Sequence, residues 1–318
     1  MTTKLCIVMD PIESINIKKD TTFALMLEAQ KRQFEIYYLN ARDLFLADNQ
    51  VSGLVTRLRV KDDPHHFYEY LDAKPQAMPL SAFNAVLMRK DPPFDIAYLY
   101  ATYLLELAQS QGCVILNHPT SIRDANEKLY TAWFADCCPP TLVTSQKSLI
   151  SEFIAKQLHI VLKPLHSMGG QGILMMKEGD LNLNAAVDLL THRGKYPIMA
   201  QRYIPEILTT GDKRILIVDG QALPFAIARI PGKGDFRGNL ASGAKGVAHK
   251  LTERDLFLCQ RVGPTLKAKG LFLVGIDVIG DYITEINVTS PTCVREIDAL
   301  FNVNLAETII DSLTQLMK

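Results

Sequence analysis

Three oxygen-bearing side chains near the C-terminus are placed for chemistry. Within residues 271–295 (LFLVGIDVIGDYITEINVTSPTCVR), Asp277, Glu285 and Asn287 interrupt apolar, β-branched runs. Hard oxygens of this kind suit Mg²⁺, which takes one or two carboxylates and completes its shell with water and phosphate. Glu285 and Asn287 are two apart, so a strand over 282–288 points both to one face. Gly280-Asp281 reads as the hairpin turn between them and Asp277. A two-residue turn with regular pairing sets Asp277 opposite Thr284 and leaves Glu285 on the other face. A three-residue loop or a bulge gives the odd offset that brings Asp277 opposite Glu285, and that offset is expected. The other reading is an amphipathic hairpin whose polar side is merely wet. This stretch alone does not choose between them.

Cationic groups lie elsewhere in the chain. Lys163 ends an apolar strand over 159–164, and a Gly-rich segment (Met168-Gly169-Gly170-Gln171-Gly172) leads to a second strand over 173–176. Backbone N–H groups of such a turn can close over phosphates while the lysine supplies the charge. A plain turn explains the glycines as well, and no Gly-Lys-Ser/Thr opens a helix, so this is not a Walker loop. Arg214 and Arg229 sit at polar ends of apolar strands, where a guanidinium can grip a carboxylate bidentately. Lys128 falls in SIRDANEKLYTAWFA, read as one helix over 121–135, where a lone lysine is ordinarily solvated. Cys293 has no histidine near it in sequence to activate it and reads as an ordinary buried cysteine.

Two carboxylates with lysines and arginines suit phosphoryl transfer, which asks mainly for positioning and charge neutralisation. Without a nucleophilic triad, the substrate must be the nucleophile. A carboxylate attacks the γ-phosphate to give an acyl phosphate, and an amine then displaces phosphate while arginines stabilise the oxyanion. Water must be kept away, which makes the Gly-rich stretch over 231–246 (PGKGDFRGNLASGAKG) a closing flap; a disordered loop is the alternative.

The elements that position these groups follow from the patterning. A buried strand over 4–9, a helix capped by Thr21 or Thr22 through about 33, and a strand over 35–39 open the chain. After a less regular middle come a strand over 85–88, the MRKDPP turn, a helix over 97–111, a strand over 113–116 and Asn117-His118-Pro119. Strands alternating with helices imply a parallel, wound α/β sheet with ligands at its carboxyl ends. MRKDPP lies at such an end, as a stiff connector or a substrate-facing loop. Cys137-Cys138-Pro139-Pro140 is a candidate linker. Further elements are a helix over 148–158, a strand over 198–205 whose end can offer main-chain groups to a base, and a hairpin over 212–230. A helix over 252–269 capped by Thr252 and ended by Gly270, and a closing helix over 303–317, complete the chain.

With 318 residues, 48% of them hydrophobic, the chain has material for two or three domains. Lys+Arg and Asp+Glu both total 34, which argues against a nucleic-acid or anionic-membrane partner held by bulk charge. No apolar run approaches the ~20 residues of a membrane span. The opening MTTKLCIVMDP places an acid where a signal peptide keeps its apolar segment. The six cysteines contain no C-x-x-C, so a reduced, cytoplasmic protein is expected.

Taken in order, IKKD, MRKDPP, RDANEKL, LKP followed by MGG, TGDKR, ARIP, RGNLASG, GIDVIGD and TEINVTSPTCVRE resemble the bacterial-type glutathione synthetases of the ATP-grasp superfamily. The resemblance covers nearly the whole chain, and TEINVTSPT with RGNLASG is its most specific part. It implies an α/β ATP-grasp fold: an N-terminal wound α/β domain over 1–122, a small α+β lid over 123–202, and a C-terminal α+β domain over 203–318, with ATP between the last two. The implied reaction joins γ-glutamylcysteine to glycine with ATP as co-substrate and Mg²⁺ as cofactor, Mn²⁺ being the alternative, in a cytoplasmic homotetramer. Lys128 and Lys163 would reach the phosphates, and Met168, Gly169 and Gly170 would cover them. Gln201, Arg202, Tyr203 and Ile204 would border adenine, Asp212 would hold the ribose, and Asp277, Glu285 and Asn287 would bind metal. Arg214 and Arg229 match the catalytic arginines; Arg89, Arg237, Gly238, Asn239, Ser290 and Thr292 would bind substrate.

The chain departs from the family pattern at His166-Ser167, often an acid and a glycine, and at His118, where lysine is common. Rival readings are another ATP-grasp carboxylate–amine ligase and a non-catalytic nucleotide-binding regulator. A regulator is expected to lack Glu285, Asn287 or Arg229, and all three are present.

Overall fold

Apolar runs at the N-terminus build the first of three sheets. In the computed structural model, which describes residues 2–317, β1 (Lys4–Met9), α1 (Thr21–Lys31) and β2 (Glu35–Asn40) form a parallel unit. The chain continues through β3 (Leu44–Ala47), β4 (Gln50–Val60), β5 (Tyr68–Tyr70), β6 (Gln76–Pro79), β7 (Ala85–Met88), α2 (Ile96–Ser110), β8 (Ile115–Leu116) and α3 (Pro119–Asp124). The strand order is β3-β4-β2-β1-β7-β8, with β5 and β6 also on β4. The expected parallel core is β2-β1-β7-β8. The segment read as irregular is instead an antiparallel extension around the long β4. Ser52, Gly53, Thr56 and Arg57 blur the apolar alternation that would announce that strand.

The cap of α1 differs from expectation. Asp20, not Thr21 or Thr22, accepts the Phe23 N–H at 2.6 Å. The two threonines are buried and bridge distant segments: Thr21 Oγ1 accepts the Val294 N–H at 3.2 Å and Thr22 Oγ1 accepts Arg89 Nε at 3.0 Å.

The helix expected over 121–135 is broken. Asn126 Oδ1 accepts the N–H groups of Lys128 (3.1 Å) and Leu129 (2.9 Å), offering the backbone an alternative to the helical ladder. A 3₁₀ segment, Leu129–Cys137, replaces the second half. Next come β9 (Thr141–Thr144), α4 (Lys147–Gln157), β10 (His159–Pro164), β11 (Leu174–Lys177), α5 (Leu183–Leu190) and β12 (Ile198–Arg202). Their sheet is antiparallel in the order β11-β10-β12-β9. Ile150, Ile154, Val187 and Leu190 of the two helices fill one face of it.

The third sheet takes β13 (Asp212–Val218), β14 (Gln221–Ile230) and β15 (Lys245–Lys250), then, after α6 (Glu253–Ala268), β16 (Leu273–Ile279) and β17 (Tyr282–Asn287). All neighbours are antiparallel, in the order β15-β14-β13-β16-β17. Thr252 caps α6 in a reciprocal capping box with Asp255, and Gly270 follows it at φ +64°. The stretch over 231–246 is not wholly irregular: it contains a 3₁₀ turn, Leu240–Ser242, and the first residues of β15. A short helix unforeseen in the sequence, α7 (Val294–Phe301), precedes α8 (Leu305–Leu316). One apolar core spans the first and third sheets, joining Leu25 and Met26 of α1 to Ile309, Ile310 and Leu313 of α8. Asn117 reinforces that junction, donating to the Leu273 and Val288 carbonyls and accepting the Leu273 N–H.

Candidate active site

The β16–β17 hairpin adopts the odd offset. Ile279 pairs with Tyr282 and Val278 with Ile283 around the two-residue turn, and a bulge at Thr284 then sets Asp277 opposite Glu285. Asn287 pairs with Gly275, and its Nδ2 donates to the Gly275 carbonyl at 3.2 Å. A Cβ at Gly275 would lie 2.9 Å from Arg214 Cδ, so only glycine lets that arginine cross the strand.

Behind the hairpin lies a dense charge cluster. Asp277 Oδ1 accepts Arg214 Nε at 2.5 Å, and Oδ2 accepts Arg214 Nη2 at 3.0 Å and lies 2.9 Å from Arg229 Nη2. Burial opposes ionisation of Asp277, but the two guanidinium groups outweigh it and hold its carboxyl well below the usual range. Arg229 also donates to Asp212 Oδ2 at 2.5 Å and to the Asp212 carbonyl at 3.2 Å. Burial pushes the Asp212 carboxyl up to about 7 despite Arg229, and its Oδ1 is buried without a partner.

Lys128, which the resemblance assigns to the phosphates although a lone helical lysine is ordinarily solvated, is 2% exposed. The break at Asn126 turns it inward: Nζ bonds the Glu127 carboxylate, donates to the Ser167 carbonyl at 2.6 Å, and lies 3.7 Å from Glu285 Oε1. Desolvation disfavours its charge, yet Glu285 and Glu127 raise its pKa overall. Lys163, buried on β10, donates to Gln201 Oε1 at 2.9 Å, and burial lowers its pKa.

Two clefts meet over these groups. The first, between the second and third sheets, is lined by Lys163, Gln201, Arg202, Tyr203, Ile204 and Asp212, with Arg237, Gly238 and Asn239 across it. The second is lined by Met168, Gly169, Arg214, Arg229, Asn287, Ser290 and Thr292. Glu285 and Asn239 border both. Gly170 packs under Asn239, where a Cβ would come within 2.5 Å of Oδ1, and Ser242 Oγ donates to the Gly169 carbonyl at 3.2 Å. The two Gly-rich segments therefore touch across the cleft mouth.

Arg89 stands apart from the expected site residues. Like Lys128, Gly170 and Asp277 it lines neither cleft, but its guanidinium turns away from them, donating to Thr22 and to the Pro291 carbonyl at 2.9 Å. Ser290 Oγ in turn donates to the Arg89 carbonyl at 3.2 Å, so Arg89 shapes the 289–292 loop from behind. Cys293 is buried, and burial pushes its thiol up against the pull of Arg214 and Arg229, as an unreactive cysteine requires.

Two further acids stand out, one lining the second cleft and one outside both. Glu127 lines the second cleft beside Lys128, with its carboxyl raised by burial and by Glu285. Glu296, in the first turn of α7, has a buried oxygen without a partner and feels Lys19 and Arg214. The Asn126-Glu127-Lys128 run carried a signal for the first; nothing local announced the second.

The donor set fits a hard divalent cation. Glu285 and Asn287 border the cleft, whereas Asp277 is 1% exposed, lines neither cleft, and has arginine N–H groups at three of its about four acceptor positions. Among the described residues no three His, Cys, Asp or Glu side chains form a closed metal cluster. A cation held here relies on the amide and on phosphate oxygens as well.

Comparison with known proteins identifies the family. Residues 3–123 match the family model for the prokaryotic glutathione synthetase N-terminal domain, and residues 127–302 match that for its ATP-grasp domain. The chain is 52% identical over 306 residues to a glutathione synthetase of Coxiella burnetii, covering 96% of this chain and 94% of that protein. It is 50% identical over 315 residues to one of Vibrio parahaemolyticus, covering 99% of each. Among solved structures, D-cycloserine synthetase DcsG superposes with a TM-score of 0.70 at 15% identity, covering 99% of this chain and all of that one. D-alanyl-alanine synthetase A from Vibrio cholerae superposes with a TM-score of 0.62 at 13% identity, covering 99% and 98%. These two show the shared ATP-grasp fold.

Proposed function

The chain belongs to the prokaryotic glutathione synthetase family, and from that premise we propose how its two clefts divide the work. It is an ATP-grasp ligase that forms glutathione at the expense of ATP, with a divalent cation. The first cleft takes the nucleotide. Its edge of Gln201 to Ile204 borders the base, and the orphaned Oδ1 of Asp212 accepts a ribose hydroxyl. Lys128 and Lys163 reach the phosphates; Met168, Gly169 and Gly170 cover them.

The second cleft takes γ-glutamylcysteine and glycine. Arg214 and Arg229 orient the accepting carboxylate, and Ser290 and Thr292 with the 237–239 segment hold the substrates. The carboxylate oxygen attacks the γ-phosphorus of ATP, ADP leaves, and the glycine amine then expels phosphate from the acyl phosphate. The arginines stabilise the negative charge that develops. Mg²⁺ on Glu285, Asn287 and Asp277 would neutralise phosphate charge when bound. One observation carries this reading: Glu285 forms the wall common to both clefts, with Lys128 3.7 Å away.

Phosphate release should require ATP, γ-glutamylcysteine and glycine together, with glutathione formed in equal amount. Turnover with D-alanine in place of either building block would favour another ligase. Titrating Mg²⁺ and Mn²⁺ separately into metal-free protein identifies the cation. The family resemblance further suggests a homotetramer, which sedimentation tests. No described helix is long and apolar enough to cross a membrane, in keeping with a cytoplasmic site of action.

A further inference from the structure

We propose that Asp255 is a positioning residue for ligation, tying the strand at the root of the 231–244 flap to the hairpin that carries Glu285. The proposal rests on the reading of that segment as the closing flap and of Glu285 as a binding group.

The argument starts from alternation on β13. Arg214 faces the clefts, so its neighbour Lys213 faces α6. Lys213 pairs with Ala228, Ala228 with Val247, and Ala226 with His249, so Lys213 and His249 share that face. Only the small Ala226 and Ala228 lie between them. Into that space the first turn of α6 inserts Asp255, which is 0% exposed. Its Oδ1 accepts Lys213 Nζ at 2.5 Å; its Oδ2 lies 2.8 Å from His249 Nε2 and accepts Thr252 Oγ1 at 2.8 Å and the Thr252 N–H at 3.0 Å.

A capping box needs only Thr252 and Asp255. Lys213 and His249 are additional, and each leads to a different part of the site. His249 belongs to β15, an edge strand paired only with β14, with no fully buried residue and with the flap attached at its start. Lys213 Nζ also donates to the Gly280 carbonyl at 3.0 Å, and Arg254 donates to the Asp281 carbonyl at 3.1 and 2.9 Å, so the same helical turn holds the tip of the β16–β17 hairpin. One buried carboxylate thereby fixes the flap's C-terminal root relative to Glu285. A strand with so little burial of its own needs such an anchor if the flap is to close in one place.

His249→Gln and Asp255→Asn in the full-length enzyme test this. Wild-type protein should be cut by trypsin at Lys233 and Arg237 and protected by ATP with γ-glutamylcysteine; Lys245, paired with Ile230 in the sheet, should be spared. Both variants should bind ATP as the wild type does yet lose most of that protection. Their kcat should fall on the order of 10-fold through misplacement of the closed flap. They should also release more than one phosphate per glutathione, because a loosely closed flap admits water. Arg261→Ala, which removes an exposed α6 pair with Asp136, should keep the wild-type ratio. Protection and phosphate-to-glutathione ratio both unchanged, with only the melting temperature lowered, would overturn the proposal. If Asp255→Asn does not fold, His249→Gln, on the outer strand, decides alone. Glutathione formation by the wild type tests the functional reading separately.

Discussion

Neighbouring residues on β13 lead to two buried charge clusters of opposite character. On the cleft face, Asp212, Arg214, Arg229 and Asp277 share five close contacts and still leave Asp212 Oδ1 without a donor. On the helix face, Lys213, Thr252, Asp255 and His249 close around one another, and each Asp255 oxygen has a donor. A buried acceptor left unmade costs on the order of 1–3 kcal/mol. The first cluster thus keeps one buried acceptor open, whereas the second is complete. That contrast separates the proposed binding site from its proposed support more sharply than burial or charge, which the two share.

The largest effect should come from the wall between the clefts. Glu285→Gln keeps shape and removes charge beside Lys128; glutathione formation should fall on the order of 100- to 1,000-fold, the range for losing a group aimed at developing charge. Measured turnover within a few-fold of wild type would erase the distinction between the clusters. Arg229 comes next. Arg229→Ala should keep ATP binding yet lose ligation, but it also strips buried Asp212 of its side-chain partner and leaves Asp277 to Arg214 alone, a loss of about 3–5 kcal/mol. Arg229→Lys is the cleaner change: it keeps the charge, forfeits the fork, and should lower kcat about 100-fold while nucleotide affinity is retained. Near-wild-type kcat in Arg229→Lys would remove that residue from the chemistry.

One acid of each cluster, Asp212 and Asp255, should also titrate in opposite senses. Asp212 has a carboxyl raised to about 7, chiefly by burial, so the folded state holds its proton more tightly than the unfolded chain. Its contribution to stability is present below the ordinary carboxylate range and is lost as pH rises toward 7. Asp255 is the reverse: burial disfavours its charge, but His249, Lys213 and Thr252 outweigh that and hold its pKa below the ordinary range. Its contribution is present above about pH 4 and is lost as pH falls. Urea unfolding from pH 3 to 8 should show Asp212→Asn gaining on the wild type as pH rises, and Asp255→Asn gaining as pH falls, each by about 1–3 kcal/mol. Parallel curves for the two variants would mean that the contrast in satisfied bonds has no energetic counterpart.

What the sequence made legible followed from periodicity. The apolar strands β1, β7, β10 and β13 end where their patterns end, and the odd offset of Asp277 and Glu285 could be argued from face and turn geometry alone. The helix over 121–135 breaks before Lys128 because Asn126 diverts the backbone by its own side chain, a local competition that helical spacing does not report. Arg89 carried a family role, yet its partners are Thr22 and Pro291, the latter 202 positions away. The whole helix-face cluster was invisible for the same reason: Lys213, His249 and Asp255 each look like solvated charges until β13, β15 and α6 bring them together. Long-range pairing, not residue type, decides which charges are buried.

The smallest effect on turnover is expected from Gly263→Ala, and its smallness is informative. Gly263 lies in α6 two turns beyond Asp255, where it packs on the β13–β14 turn; a Cβ there would sit 2.2 Å from the Gly220 carbonyl oxygen. That oxygen is backbone and cannot swing aside, so the helix or the turn must shift, at a loss of about 1–3 kcal/mol. The displacement acts on the far end of α6 and leaves the bonds among Lys213, Asp255 and His249 in place. Chemical unfolding should register the lost stability, while kcat per folded molecule and the ratio of phosphate to glutathione stay at the wild-type level. Should Gly263→Ala uncouple ATP consumption as strongly as His249→Gln, the position of the whole helix, rather than the Asp255 carboxylate, would be what governs the flap.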